Sequence, residues 1–201
     1  MKIAIKSFCF LSCLSILSAC SSLTPTKEVT EGYKIYNITG VSSSTQISSN
    51  LKTAMQKNAD KVQFTNDIPV SPLPEKPARF KLTNPFANSN MGALMAQSGS
   101  VIKIPSCEGS IFSATSNQNF RGAENTTFFV CLIPYAQGYH MDIYYTFTKV
   151  SGGVSTEALG AALAQSVVGD SSQFIPRTIL ALEQAVQNAG GQLNLVEKYP
   201  Q

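Results

Sequence analysis

The stretch Thr127 to Ile133 is apolar on both faces of an extended chain, with Phe128-Phe129-Val130-Cys131-Leu132-Ile133 in unbroken succession. A strand of this kind has to be covered on both sides. Either further layers lie above and below it, or helices cover one side and the Pro-rich segment with Pro69, Pro72, Pro74 and Pro77 covers the other. The next run is different. Tyr139, Met141, Ile143, Tyr145 and Phe147 fall on one face, and His140, Asp142, Tyr144, Thr146 and Thr148 on the other. One face is therefore core, the other polar or a site. With Gly138 at the tight turn between them, these runs join Val101 to Ile104 and Ser110 to Thr115 as expected strands of one antiparallel meander.

The remaining segments supply the layers. Tyr33 to Thr39 alternates as a half-buried strand, and Ile47, Leu51 and Met55, with Ala54 beside them, form a helical stripe behind a serine-rich start that can supply the N-cap. Val62 to Phe64 reads as a short return strand. The four prolines then forbid helix and central strand, which leaves a plain extended connector or a docking segment for an aromatic groove. Arg79 to Thr83 is expected as a strand with Phe80 and Leu82 inward, ended by Asn84-Pro85. Asn88 to Ser100 is a short helix or an adaptable loop whose Met91, Leu94 and Met95 either face the core or form a plastic binding lip. Thr156 to Val168 carries Leu159, Leu163 and Val167 among small residues, as in a helix packed on the sheet. Ile175, Ile179, Leu182 and Val186 mark another helix, with Pro176 in its first turn and Gly190-Gly191 at its end. Leu193 to Val196 is the last strand. The order predicts an α+β single domain, a central mostly antiparallel sheet of about five to seven strands with two or three helices on one face, a helix-grip arrangement being one candidate.

The N-terminus obeys other rules. Lys2 and Lys6 precede a short apolar run, Phe8 to Leu17, closed by Leu17-Ser18-Ala19-Cys20. A transmembrane helix needs roughly 20 apolar residues, and this run is shorter and interrupted by Ser12 and Ser15. The quartet resembles the lipobox of bacterial lipoproteins. That resemblance implies cleavage between Ala19 and Cys20, then a covalent diacylglycerol and an N-acyl chain on the Cys20 thiol and amine, with no other cofactor. Acyl chains of this kind hold a protein to a membrane without spanning it. By resemblance to the sorting pattern of Gram-negative lipoproteins, Ser21, where an Asp would mark inner-membrane retention, implies transfer to the outer membrane; the domain is expected to face the periplasm, with surface exposure as the alternative. The expected division is residues 1–19 as signal peptide, 20–32 as lipidated Cys and flexible tether, and 33–201 as the domain.

Cleavage changes the balance of charge and thiols. Removing Lys2 and Lys6 leaves thirteen basic against twelve acidic residues, a net charge of about +1 that gives no reason to expect nucleic acid as a partner. Cys9 and Cys13 are lost and Cys20 is modified. Cys107 and Cys131 remain, and an exported chain makes their disulfide the default. One histidine and no CxxC spacing give no zinc pattern, so no metal is expected.

Catalytic motifs are few. Gly169-Asp170-Ser171-Ser172 faintly resembles the nucleophile block of GDSL hydrolases, but no histidine follows Ser171, and these residues suit a helix end and a following cap. Glu108 and Asp142 could flank a glycan only if the fold brings them together. His140, Asp142 and Tyr144 share one face of a strand and are the expected patch for a ligand or partner. No catalytic residues are assigned. The leading expectation is a non-enzymatic outer-membrane lipoprotein whose periplasmic domain binds another envelope component, a protein partner above all. The alternatives are a carrier of a small apolar ligand or lipid, with a large cavity beneath the sheet, and a hydrolase using His140.

Overall fold

The computed structural model describes residues 26–97, 103–120, 124–151 and 171–200, and the strand that is apolar on both faces lies deep in its main sheet. The elements in chain order are β1 (Thr26–Thr39), α1 (Ser44–Asn58), β2 (Gln63–Thr65), β3 (Lys81–Thr83), α2 (Asn90–Gln97), β4 (Ile104–Ser106), β5 (Phe112–Phe120), β6 (Glu124–Tyr135), β7 (Gly138–Ser151), α3 (Ser171–Gln187) and β8 (Gln192–Tyr199). The six-stranded sheet has the order β2-β5-β6-β7-β1-β8 with every neighbouring pair antiparallel, and β3 pairs with β4 in a separate two-stranded ribbon. The domain is α+β, with its helices α1 and α3 on one face of an antiparallel sheet.

Alternation sorts the side chains between two layers. On the inner face Phe112, Phe128, Val130, Leu132, Met141 and Ile143 pack against Ile47, Leu51 and Met55 of α1 and Leu182 and Val186 of α3. Truncating one of these to Ala costs about 2–5 kcal/mol. The helix α1 begins where Ser43 Oγ accepts the N–H of Gln46 at 3.2 Å, so the serine-rich start does supply the cap. At the other end of the layer, α3 gives way to β8 through Gly190, whose φ of +81° favours glycine, and Gly191, where a Cβ would press on Val186 and Val41.

The outer face carries a second, smaller cluster of Phe129, Cys131, Ile133 and Tyr144, against which Tyr33, Phe80 and Cys107 pack. This cover is the Pro-rich crossing and the β3–β4 ribbon. Helices on one side and the crossing on the other thus enclose β6. The Cys107–Cys131 disulfide fastens the ribbon to β6.

Four expectations need correction. First, β1 starts at Thr26 and pairs with β7 from Thr26↔Ser151 onward, so residues 26–32, expected in the tether, belong to the sheet. Cross-strand pairing satisfies the backbone there whatever the side chains, and with Val29 59% exposed the stretch gives no apolar period. Second, β4 is not part of the meander. Pro105 removes a ladder donor and suits a two-stranded ribbon, not an interior strand. Third, Leu82, expected inward, is 38% exposed; of the two placements open for Met91 and Leu94, the structure has both side chains exposed and not in the core. Fourth, α3 begins at Ser171, which puts Pro176 in the second turn. The helix expected over Thr156 to Val168 and the signal peptide with Cys20 lie outside the described residues.

Candidate functional site on the outer face of the sheet

The three residues singled out on β7 do share the outer face, but burial separates them. Asp142 is fully buried and Tyr144 nearly so, while the His140 side chain is 12% exposed. Phe80 seals the middle. Its backbone N–H donates to Asp142 Oδ2 at 2.8 Å, and its ring packs on Tyr144 and Tyr33, each with centroids 5.6 Å away. Arg79, the preceding residue, pairs with Glu197 Oε2 of β8 at 2.9 Å, and Glu197 Oε1 accepts the Tyr33 hydroxyl at 2.5 Å. Upstream, Pro74 O accepts the Ala136 N–H of the β6–β7 turn at 2.9 Å. The crossing is therefore a strap fastened at both ends.

Two cavities flank the sealed centre. The larger, about 670 Å³, opens at the β6–β7 end between the strap residues Glu75, Lys76 and Pro77 and the sheet residues Asn37, His140 and Asn194. Tyr135 closes its floor, donating its hydroxyl to Asn37 Oδ1 at 2.7 Å and setting its ring edge-on to His140. The smaller, about 230 Å³, lies on the far side of Phe80 and is mostly aromatic, lined by Tyr33, Phe80, Tyr144 and Tyr199 with Leu82 and Glu31 at its rim. His140 thus belongs to one cavity, Tyr144 to the other, and Asp142 to the wall between them.

Electrostatics follow from this burial. Removal from water pushes the Asp142 carboxyl up to about 6, against the Phe80 N–H and the Arg79 charge, which favour the ionised form. Burial, then the Arg79 charge, lowers His140 below its usual value. A neutral His140 forms no ion pair with Asp142, although Nδ1 and Oδ1 are 3.9 Å apart. Both of those buried atoms lack a hydrogen-bond partner. Tyr144 donates its hydroxyl to Glu31 Oε2 at 3.1 Å, and burial first, then the Glu31 charge, raises its pKa.

The larger cavity offers amide, imidazole, ammonium and carboxylate groups around a polar mouth, with the Tyr135 hydroxyl at its floor engaged by Asn37. Among the described residues no cluster of three or more His, Cys, Asp or Glu could hold a metal ion. Glu108 is exposed and paired to Lys81 at 3.0 Å, whereas Asp142 is buried, so the two carboxyls do not form a glycan-flanking pair. Sequence reasoning missed Tyr33, Arg79, Phe80 and Glu197 as members of this face. The signal in Phe80 was its apolar alternation, which it satisfies by covering the sheet instead of joining it. Arg79 and Glu197 meet only through the fold and give no signal.

No family model matches the chain, and no curated protein matches it. Among solved structures, the chain is similar to the di-domain ARO/CYC StfQ from the steffimycin biosynthetic pathway, at 13% identity and a TM-score of 0.30 over 82% of this chain, spanning about half (52%) of that one. It is also similar to a conserved protein from Geobacillus kaustophilus, at 12% identity and a TM-score of 0.31, covering 82% of this chain and 99% of that one. A third similarity is to an uncharacterised protein from Rhizobium leguminosarum, at 10% identity and a TM-score of 0.30, covering 81% and 99%. Likenesses this distant carry neither an activity nor a ligand to this chain.

Proposed function

We propose that the chain is an outer-membrane lipoprotein, anchored through acyl chains on Cys20, whose domain is a non-enzymatic module that binds another envelope component in the periplasm. The observation that carries this reading is Leu17-Ser18-Ala19-Cys20 at the end of a short apolar run behind Lys2 and Lys6. The disulfide between Cys107 and Cys131 supports an exported chain, since such bonds persist in oxidising compartments. The His140 cavity supports a binding role: its mouth is polar and its walls come from both the strap and the sheet. The carrier alternative draws less support, because the layer between helices and sheet is filled by Leu51, Met55, Phe128, Leu132, Met141 and Leu182.

Two measurements test the proposal. The mass of the N-terminal peptide of protein purified from bacterial membranes should show Cys20 as the first residue with its acyl chains; an unmodified peptide beginning at Met1 would sink the anchor. A photo-cross-linking amino acid at Gln137, on the rim of the cavity, should trap one discrete envelope protein in intact cells. That adduct should fade in the Cys20→Ala variant. Absence of any adduct, or recovery of bound lipid with the purified protein, would overturn the binding role.

A further inference from the structure

The outer-face ribbon has a direction that the strap alone does not reveal. Its open end is pinned at the level of Asp142 and Cys131, which face each other across β7 and β6, through the Phe80 N–H bond and the Cys107–Cys131 disulfide. Its closed end, Thr83↔Ile104, lies toward Glu31. Leu82 shares the small cavity with Glu31 and Gly32, and Lys103 Nζ pairs with Glu31 at 3.0 Å. Asp142 stands opposite Ile35 on β1, so the ribbon runs along β1 toward its N-terminal end. The connection that carries α2 therefore leaves and returns at the Thr26 end of the sheet, away from the β6–β7 turn.

This end has unusual chemistry. The sequence carries no charged side chain between Lys81 and Lys103. Met91 is 57% and Leu94 63% exposed, and Leu82, Phe86 and Ile104 are also exposed. Gly92 lets α2 close onto its own entry loop, since a Cβ there would lie 1.9 Å from Phe86 O, so the exposed side chains are presented from a compact lobe. The two flanking lysines are already paired, Lys81 to Glu108 and Lys103 to Glu31. An apolar, electrically neutral lobe suits the boundary between headgroups and acyl chains.

The length of the tether says which surface this lobe meets. Six residue steps separate Cys20 from Thr26, at most about 21 Å of fully extended chain. The Thr26 end of the sheet is thus held to the leaflet that takes the acyl chains, and the α2 lobe is on that end. We infer that the lobe of β3, α2 and Ile104 is a foot that rests on this lipid surface, with Met91 and Leu94 entering it and the His140 cavity directed away from the membrane. This rests on the lipid-anchor reading of Cys20.

The test uses the full lipidated protein in phosphatidylcholine vesicles that contain brominated phosphatidylcholine. With Cys20 acylated and Cys107 bonded to Cys131, an engineered thiol is the single labelling site. An environment-sensitive fluorophore on Leu94→Cys should shift to the blue and lose most of its emission to the bromines. The same label on Gln137→Cys, at the opposite end of the sheet, should do neither, and raising the salt concentration should change neither signal. If both labels report water while the N-terminal peptide carries its acyl mass, the foot is overturned and the anchor stands. A blue shift at position 94 without quenching would mean a protein contact and also overturns it. If the acyl mass is absent, foot and anchor fall together.

Discussion

Cys131 and Asp142 stand directly opposite each other on β6 and β7, and each fastens one strand of the outer cover: Cys131 through its disulfide to Cys107, Asp142 through the N–H of Phe80. One cross-strand pair thus holds two segments that are far from it in sequence. A covalent bond and a charge-assisted hydrogen bond share the task, and the two respond to different conditions.

Asp142 makes that attachment sensitive to pH. Its carboxyl is raised from 3.8 to about 6 in the folded chain, so between those values the folded state binds more protons than the unfolded one. Stability from this group is highest in acid and falls as pH rises through about 6. At about 1.4 kcal/mol per pKa unit the loss is on the order of 3 kcal/mol. Asp142→Asn keeps an acceptor for Phe80 and removes the charge. It should be more stable than the parent at pH 7.5 and lose that advantage below pH 4, as measured by urea denaturation. An advantage independent of pH would show that the carboxyl is not buried as described.

The disulfide closes a loop with a sequence separation of 24. Replacing both Cys107 and Cys131 by Ser should cost about 3 kcal/mol. A reductant should then lower the denaturation midpoint of the parent and leave the double variant unaffected. Equal midpoints for parent and variant without reductant would contradict the tie.

Phe80 closes the wall between the two cavities. Phe80→Ala should cost about 2 kcal/mol, below the full-burial range because the side chain is only partly buried. It should also open Tyr144 and Asp142 to water, raising binding of an apolar dye. A variant that loses stability without gaining dye binding would mean that the strap collapses onto the gap.

Gly138 and Gly109 both have positive φ, +150° and +75°, but they differ in surroundings. A Cβ at Gly138 would lie 2.2 Å from Ile38 O, whereas nothing lies within 4 Å at Gly109. Gly138→Ala should therefore lose about 3 kcal/mol or more and Gly109→Ala about 1 kcal/mol, by thermal denaturation. Equal losses would show that conformation alone sets the cost.

The sequence made the inner layer legible because each of its elements carries a full period of apolar residues. Ile47, Leu51 and Met55 on α1, and Met141 and Ile143 on β7, are buried where their spacing places them. The double-sided character of Phe128 to Ile133 required a cover, and the Pro-rich crossing supplies it. The outer layer was less legible. Tyr33, Arg79, Phe80 and Glu197 come from three distant segments, and only the strap's path brings them together. His140, Asp142 and Tyr144 shared a face as the alternation required. A period of two says which face a residue takes and not what lies over it, so the division of that face by Phe80 could not be read in advance.

The position of β1 has a consequence in time. The first described strand lies between β7 and β8, and its partners, from Thr26↔Ser151 to Ile38↔Leu193, are made more than a hundred residues later in synthesis. Pairing across such sequence separations requires closing very large loops before any contact rewards it, and this slows folding. A chain emerging N-terminus first has no partner for β1 until β7 follows, and the second side of β1 from Tyr33 to Thr39 stays unpaired until β8 is made. The topology itself delays the native state, because β1 cannot complete its ladders before both β7 and β8 have been made.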